Sequence, residues 1–155
     1  MNFQKSHFRL IIYFLLVIII VSSLAYYIKK SIEIEKLNTI ETNLLLVQAK
    51  TNNIKRNSQI NKDNSLLIGE KIAEYKENST IHELIDKGII SQEEYDKYYI
   101  FDKNTLYKNG LEDAIIENNE YILVNYETGE IVLSKPYIYN KHEYYKLSEI
   151  KQIER

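Results

Sequence analysis

Residues 10–28 read LIIYFLLVIIIVSSLAYYI, and this stretch decides the architecture that the rest of the sequence predicts. It carries no charge, and only Ser22 and Ser23 are strongly polar. A helix of this length spans roughly 28 Å, at about 1.5 Å per residue, which is close to the ~30 Å hydrocarbon thickness of a bilayer. Because a single segment in hydrocarbon must satisfy its own backbone hydrogen bonds, we predict a transmembrane helix over residues 10–28.

Two other kinds of apolar segment are a buried core helix and a cleavable secretory signal. A core helix shows a polar stripe, which residues 10–21 lack. A signal peptide has a shorter apolar run followed by small residues at a cleavage site. Here Tyr26, Tyr27, Lys29 and Lys30 follow instead, a pattern typical of anchors at the membrane interface. The pattern favours a retained helix.

The charge distribution predicts a single-pass protein of the cell membrane. All 22 acidic residues follow residue 28, where 18 basic residues accompany them, so this part carries a formal charge near −4. This balance argues against nucleic acid as a partner. The short basic tail with Lys5 and Arg9 predicts a cytoplasmic N-terminus and an extracytoplasmic C-terminal domain. The chain has no cysteine, which excludes disulfides and thiolate metal sites.

After the span, the chain has no Pro or Gly before Gly69, so the helix is predicted to continue through residues 29–57. Apolar positions in this segment recur at spacings of 3 and 4 and form one stripe on a helix. The stripe consists of Leu37, Ile40, Leu44, Val47, Thr51 and Ile54. It favours packing against the chain's own C-terminal domain; a parallel coiled coil is the alternative, which a Thr in the seam weakens.

Short elements follow in residues 58–147, which we predict to form a small α+β domain. Caps and breakers predict helical segments at 66–76, 79–86, 92–98 and 103–108. Runs rich in β-branched and aromatic residues predict strands at 121–126, 130–133, 136–139 and 143–147. The hairpin turn Glu127, Thr128 and Gly129 joins the first two, with Gly129 at positive φ. We therefore expect an antiparallel sheet of three or four strands.

The predicted organisation of the whole chain has five parts. These are a cytoplasmic tail or leader (1–9), the transmembrane helix (10–28), its extracytoplasmic continuation (29–57), the α+β domain (58–147) and a charged C-terminal tail (148–155).

The sequence offers no recognisable catalytic or metal-binding motif. His7, His82 and His142 are far apart, and the chain lacks a nucleophile elbow and a glycine-rich phosphate loop. Eleven of the 14 tyrosines lie from Tyr75 onward, and we interpret them as core and half-buried sheet residues; an aromatic binding surface is the alternative. We predict a protein that is not an enzyme and has no cofactor, no metal and no small-molecule substrate.

Four stretches resemble type IV pilins and the pseudopilins of type II secretion systems. FRLIIYFLLVIII (residues 8–20) is similar to the pilin start, in which a Phe follows the prepilin-peptidase cleavage point. ETNLLLVQAK (41–50), the segment beginning Asp102-Lys103 and YILVNYETGEIV (121–132) are similar to pseudopilin-like proteins of anaerobic Gram-positive bacteria. The resemblance implies a candidate processing site at His7 and Phe8. It also implies membrane lipid and other pilin-like subunits as partners, contacted through Leu10, Ile12, Phe14, Leu16 and Ile19.

The chain departs from the pilin pattern at two positions. The family leader ends in Gly, where this chain has His7, and the family carries Glu at the fifth mature residue, where this chain has Ile12. In the family, that carboxylate pairs in lipid with the N-terminal amine of a neighbouring subunit, because a buried charge needs its partner. The departures imply a minor or tip component. The alternative is a permanently anchored bitopic scaffold or interaction protein of the cell envelope or division machinery. A ligand-sensing extracytoplasmic domain is a third hypothesis.

Overall fold

The computed structural model describes residues 3–74, 79–114 and 121–154, with side chains of the first helix from Phe8 onward. The chain divides into two units, Met1–Lys36 and Leu37–Arg155. Helix α1, Phe3–Asn61, is continuous in secondary structure and contributes to both. The helix ends four residues later than predicted. Lys62 takes a positive φ of 52°, and the Asp63 amide donates to the Ser58 carbonyl at 3.0 Å, which closes the last turn.

The second unit contains a five-stranded antiparallel sheet whose strand order follows the chain. Its strands are β1 (Glu70–Lys71), β2 (Tyr98–Asp102), β3 (Tyr121–Asn125), β4 (Ile131–Tyr139) and β5 (His142–Lys146). The short helices are α2 (Ser79–Asp86), α3 (Lys103–Lys108) and α4 (Leu147–Ile150), and 3-10 turns lie at Asn64–Leu66, Ile72–Glu74, Tyr95–Lys97 and Glu112–Ala114. The predicted α+β class is confirmed, as are the helices at 79–86 and 103–108.

The strand count was predicted too low. The helix expected over residues 92–98 is only a 3-10 turn, and Tyr98 begins β2, since its aromatic and β-branched run suits a strand better. Residues 66–74 form two 3-10 turns around β1 rather than a helix, and residues 75–76 lie outside the described part. The two strands expected on either side of Lys135 form one strand, β4. Its pairing with β5 is irregular between Val132 and Tyr137, where the register shifts.

Both faces of the sheet are covered, so all five residues of β3 are buried. Ile122 and Val124 face α1, α3 and α4, whereas Tyr121 and Leu123 face α2. This alternation follows from the two-residue period of a strand. The sequence predicted that α1 covers one face; the cover that α2 gives to the other face was not expected.

Helix α4 completes the core, although Leu147 was predicted to end a strand and residues 148–150 to belong to a charged tail. Leu147 and Ile150 are buried on the α1 side of the sheet. Two carboxylates hold the helix in place. Glu149 Oε2 accepts from the backbone amides of Tyr145 and Lys146 at 2.9 and 3.0 Å, and Glu130 Oε1 accepts from the Ser148 amide at 3.2 Å.

Tyr126 connects the end of β3 to the loop that precedes β1. Its hydroxyl donates to the Ile68 carbonyl at 3.1 Å and accepts from the Ile68 amide at 3.2 Å. Burial raises the pKa of Tyr126 to about 12. The adjacent Gly69 has φ +89°, and a Cβ there would come within 2.7 Å of the Phe101 ring. The close approach of this loop to β2 therefore requires glycine.

We expect Ile150→Ala to lower the free energy of unfolding of the second unit by about 2–5 kcal/mol, because it leaves a cavity in a fully buried site. Ile60→Ala is the matched control, since the same atoms are removed from a side chain that is 78% exposed. Urea denaturation of the detergent-solubilised chain, followed by circular dichroism, measures both. Equal effects would contradict the burial of α4.

We expect the second unit to lose stability as the pH rises from 10 to 12. The pKa of Tyr126 is about 12 in the folded chain and 10.0 in its ordinary state, so the unfolded chain releases its proton first. The loss from this group approaches about 1.4 kcal/mol per pH unit.

Tyr126→Phe serves as the comparison, because it removes the ionisable hydroxyl and with it the loss of stability that Tyr126 causes at high pH. Raised pKa values of Tyr98 and Lys97 give a slope of the same sign in both proteins. The variant is also less stable at pH 7, by about 1–3 kcal/mol, because Ile68 loses its partner. Urea midpoints at pH 9, 10 and 11 give the two slopes, and parallel slopes would refute the assignment.

Candidate membrane and assembly surfaces

The apolar segment of α1 lies in the first unit and is exposed along its length. Its large apolar side chains are between 41% (Ile12) and 71% (Tyr27) exposed. A helix that is apolar on all sides and has no protein cover is suited to lipid, since water does not tolerate so large an apolar surface. Among the described residues, α1 is the one helix long and apolar enough to cross a membrane.

The residues singled out for processing and assembly all lie on this part of α1. His7 lies in the helix, but its side chain is outside the described residues. The others are exposed, namely Phe8, Leu10, Ile12, Phe14, Leu16 and Ile19. Ile12, Leu16 and Ile19 follow spacings of 4 and 3 and therefore share one face. That face is large, apolar and uncharged.

The polar residues of the segment are compatible with hydrocarbon. The Ser23 hydroxyl donates to the Ile19 carbonyl at 2.8 Å, so it does not need water as an acceptor. Tyr26 and Tyr27 lie edge to face with centroids 6.3 Å apart, and Lys29 lies 3.9 Å from Glu33. Paired tyrosines followed by lysine are typical of the membrane–water interface.

The predicted stripe on the later part of α1 lies against the sheet of the second unit. Leu37, Leu44 and Val47 are completely buried, Thr51 is nearly so, and Ile40 and Ile54 are partly buried against the same core. Thr51 is tolerated in this stripe because its hydroxyl donates to the Val47 carbonyl at 3.0 Å. A partner helix cannot use these side chains while the domain is folded.

The hairpin turn between β3 and β4 is organised by a residue that sequence reasoning missed. Asn125 is fully buried, and its Oδ1 accepts from the amides of Glu127 and Thr128 at 2.8 and 3.2 Å. Its carbonyl accepts from the Gly129 amide at 2.8 Å, and Gly129 has φ +74°. An Asn directly before a Tyr-Glu-Thr-Gly turn was the available signal.

The turn is held against a polar row of α1 next to the buried stripe. Gln48 Nε2 donates to the Gly129 carbonyl at 2.6 Å, and Lys55 Nζ donates to the Glu127 carbonyl at 3.0 Å. Asn52 lies between Gln48 and Lys55 on the helix. A Cβ on Gly129 would lie 3.3 Å from Asn52 Oδ1, so the lack of a side chain on Gly129 allows the turn to approach the helix this closely. The spacings of 4 and 3 place these three polar residues on one face of the helix, and this spacing was the signal for the row in the sequence.

Charged groups next to α2 and in the 3-10 turn before β2 are engaged locally. Lys87 Nζ lies 2.8 Å from Glu83 Oε1 and 2.8 Å from the Tyr145 hydroxyl, and Glu83 is the main cause of the raised Lys87 pKa. The Tyr145 hydroxyl in turn donates to Glu143 Oε2 at 3.2 Å. Lys97 Nζ pairs with Glu127 Oε2 at 2.9 Å, which raises the pKa of Lys97. These contacts join α2 and the 3-10 turn to the sheet.

The tyrosines of the second unit mainly build its core. Five of them are buried, namely Tyr98, Tyr121, Tyr126, Tyr139 and Tyr145, whereas Tyr107 is exposed. His82 and His142 are exposed and lie on separate elements, α2 and β5. Across residues 3–74, 79–114 and 121–154, no group of three or more His, Cys, Asp or Glu side chains could hold a metal ion.

The architecture is pilin-like, since a long N-terminal apolar helix precedes a domain built on an antiparallel sheet. Comparisons with protein-family models, with curated proteins and with solved structures find no match to this chain.

Proposed function

We propose that the chain is a membrane-anchored structural subunit, of pseudopilin type, in a type IV pilus or type II secretion-like assembly. The observation that carries the proposal is that one helix, α1, supplies both a lipid-compatible segment and the buried stripe of the domain. A subunit of this kind acts by position rather than by catalysis. In this proposal its partners are membrane lipid and other pilin-like subunits, and it uses no cofactor.

The proposed topology has the N-terminus in the cytoplasm and the domain outside. Lys5 and Arg9 precede an apolar segment that no acidic residue interrupts, and all acids follow it. A short basic tail remains on the cytoplasmic side more readily than it crosses.

The side chain at position 12 favours a minor or tip position in such an assembly. A carboxylate in lipid is costly unless a cation neutralises it, and in pilins that cation is the amine of a neighbour. With Ile12 at this position, no carboxylate is placed in lipid and no pair with a neighbouring amine can form. The Ile12 side chain is exposed on the apolar segment. A subunit with no carboxylate here fits a position that does not depend on a preceding subunit.

The second candidate is a permanently anchored bitopic scaffold of the cell envelope or division machinery. It is favoured by His7, which replaces the glycine that precedes the cut in pilins. Its partner could not bind the stripe from Leu37 to Ile54, because that stripe is buried in the domain's own core. An exposed surface of the domain or the apolar segment would have to serve instead.

We expect Leu16→Arg combined with Ile19→Arg to release the full chain from the membrane. Each charge near the middle of a spanning helix costs about 2.5–3.5 kcal/mol on insertion scales. The measurement is the fraction of chain in the membrane pellet after an alkaline carbonate wash. Leu16→Ala with Ile19→Ala is the control, which removes the same side chains without adding charge and should remain in the pellet. Release of the unmodified chain would disprove the anchor.

We expect Ile12→Glu to increase incorporation of the chain into an assembly, because it restores the carboxylate that pairs with a neighbouring amine. The measurement is crosslinking to neighbouring subunits in cells, and Ile12→Gln is the uncharged control. Intact mass of the membrane-extracted chain provides a separate readout. A mature chain that begins at Phe8 supports prepilin-type processing, whereas an intact start together with equal crosslinking of all three proteins supports the scaffold.

A further inference from the structure

The second unit separates its charges along the chain. Residues 42–62, which comprise the end of α1 and the residue after it, contain four basic residues and no acid, whereas residues 63–155 contain 19 acids and 11 basic residues. Lys50 and Arg56 on α1 and Lys62 directly after the helix are exposed, and Lys55 is occupied by the hairpin turn. The exposed surface of this helix segment is therefore basic within a domain that is otherwise acidic.

An exposed row runs along α1 on the side away from its buried stripe. It consists of Leu46, Ala49, Asn53, Arg56 and Ile60, at spacings of 3 and 4, with Lys50 beside it. Leu46 is 53% exposed and Ile60 is 78% exposed. We call this row, with Lys50, the basic face of α1. It combines apolar contact area with cations, as interface surfaces do.

The opposite side of the sheet presents exposed acids. Asp86 ends α2, and Glu93 and Asp96 lie in the turn that leads to β2. All three are exposed, and we call them the acidic face. Of the lysines on this side, Lys87 is engaged with Glu83, and Lys97 pairs with Glu127 and also interacts electrostatically with Asp96, so the three acids outnumber the cations beside them.

Resting on the proposed function, we propose that the basic face of α1 in one copy docks on the acidic face of a second copy. The two faces lie on opposite sides of the sheet, since α1 and α2 cover different faces. Each copy therefore keeps one unused face after docking, so the contact between the two copies is head-to-tail rather than self-complementary. The self-complementary alternative, α1 against α1, would bring Lys50 and Arg56 of both copies together and is disfavoured by repulsion.

The first test uses the natural absence of cysteine. A full chain with Asn53→Cys is co-expressed in membranes with a full chain with Glu93→Cys, and disulfide formation is measured. We expect the mixed pair to crosslink and each chain alone to crosslink much less. Crosslinking of Asn53→Cys alone at the same yield as the mixed pair would overturn the proposal.

The second test reverses charges, read by noncovalent association of the full chains at low salt. Lys50→Glu with Arg56→Glu should weaken self-association about tenfold, which is the loss expected for two to three surface ion pairs. The triple variant Asp86→Lys, Glu93→Lys and Asp96→Lys should weaken it by the same factor. All five changes in one chain should restore association. The matched control is Lys71→Glu with Lys151→Glu, which makes the same change in net charge at exposed positions elsewhere and should have no effect.

Two results would refute the charge argument. One is weak association of the five-fold variant. The other is that the basic face binds anionic lipid instead of a second copy. In that case the full chain, held in nanodiscs of neutral lipid, binds vesicles containing anionic lipid, and Lys50→Glu with Arg56→Glu abolishes this binding. No crosslink between copies then forms. Failure here is separable from failure of the proposed function. A chain that resists carbonate but is monomeric supports the anchor and contradicts the docking contact. Mixed crosslinks in a chain that carbonate releases support the docking contact and contradict the anchor.

Discussion

Burial of one stripe of α1 against the sheet is the interaction on which the second unit depends. Leu37, Leu44 and Val47 lose all contact with water, and they pack in one core with residues of β3, β4 and α4. None of the short helices would be stable alone, since helices of four to eight residues form too few hydrogen bonds to offset the free-energy cost of helix nucleation. The stripe supplies the apolar surface around which they become stable. The polar row beside it, from Gln48 to Lys55, then fixes the hairpin turn at a defined place along the helix.

The same helix meets two different demands along its length. In the first unit the large apolar side chains of residues 8–28 are exposed, whereas in the second unit apolar residues are confined largely to the face that the sheet covers. The hydrogen-bonded backbone is what allows this change, because an α-helix satisfies its own polar groups in either environment. The proposed function uses this property, since one element both anchors the chain and stabilises its domain. The outer side of the helix is left for other contacts.

The sequence predicted what local chemistry determines. The apolar segment, the stripe at spacings of 3 and 4, and the helix that Asp102 caps all depend on residues close together in the chain, and the structure contains all three. The misses depend on distant partners. Tyr98 begins a strand because it pairs with Asn125, and Ile150 is buried because it packs into the core between α1 and the sheet. The contact of Lys55 with Glu127 could not be predicted because it joins residues 72 positions apart.

The order of the sheet has a consequence for how the domain is made. Each strand pairs with the one before it in the chain, so a chain leaving the ribosome or a translocation channel can add strands in sequence without threading back. Helix α1 emerges first and carries its apolar stripe uncovered until the strands follow. Among the described residues, the last fully buried side chain of the core belongs to Ile150, so the hydrophobic interior stays open to water until residue 150 has emerged. Until that point a nascent chain of this kind exposes apolar surface that favours aggregation.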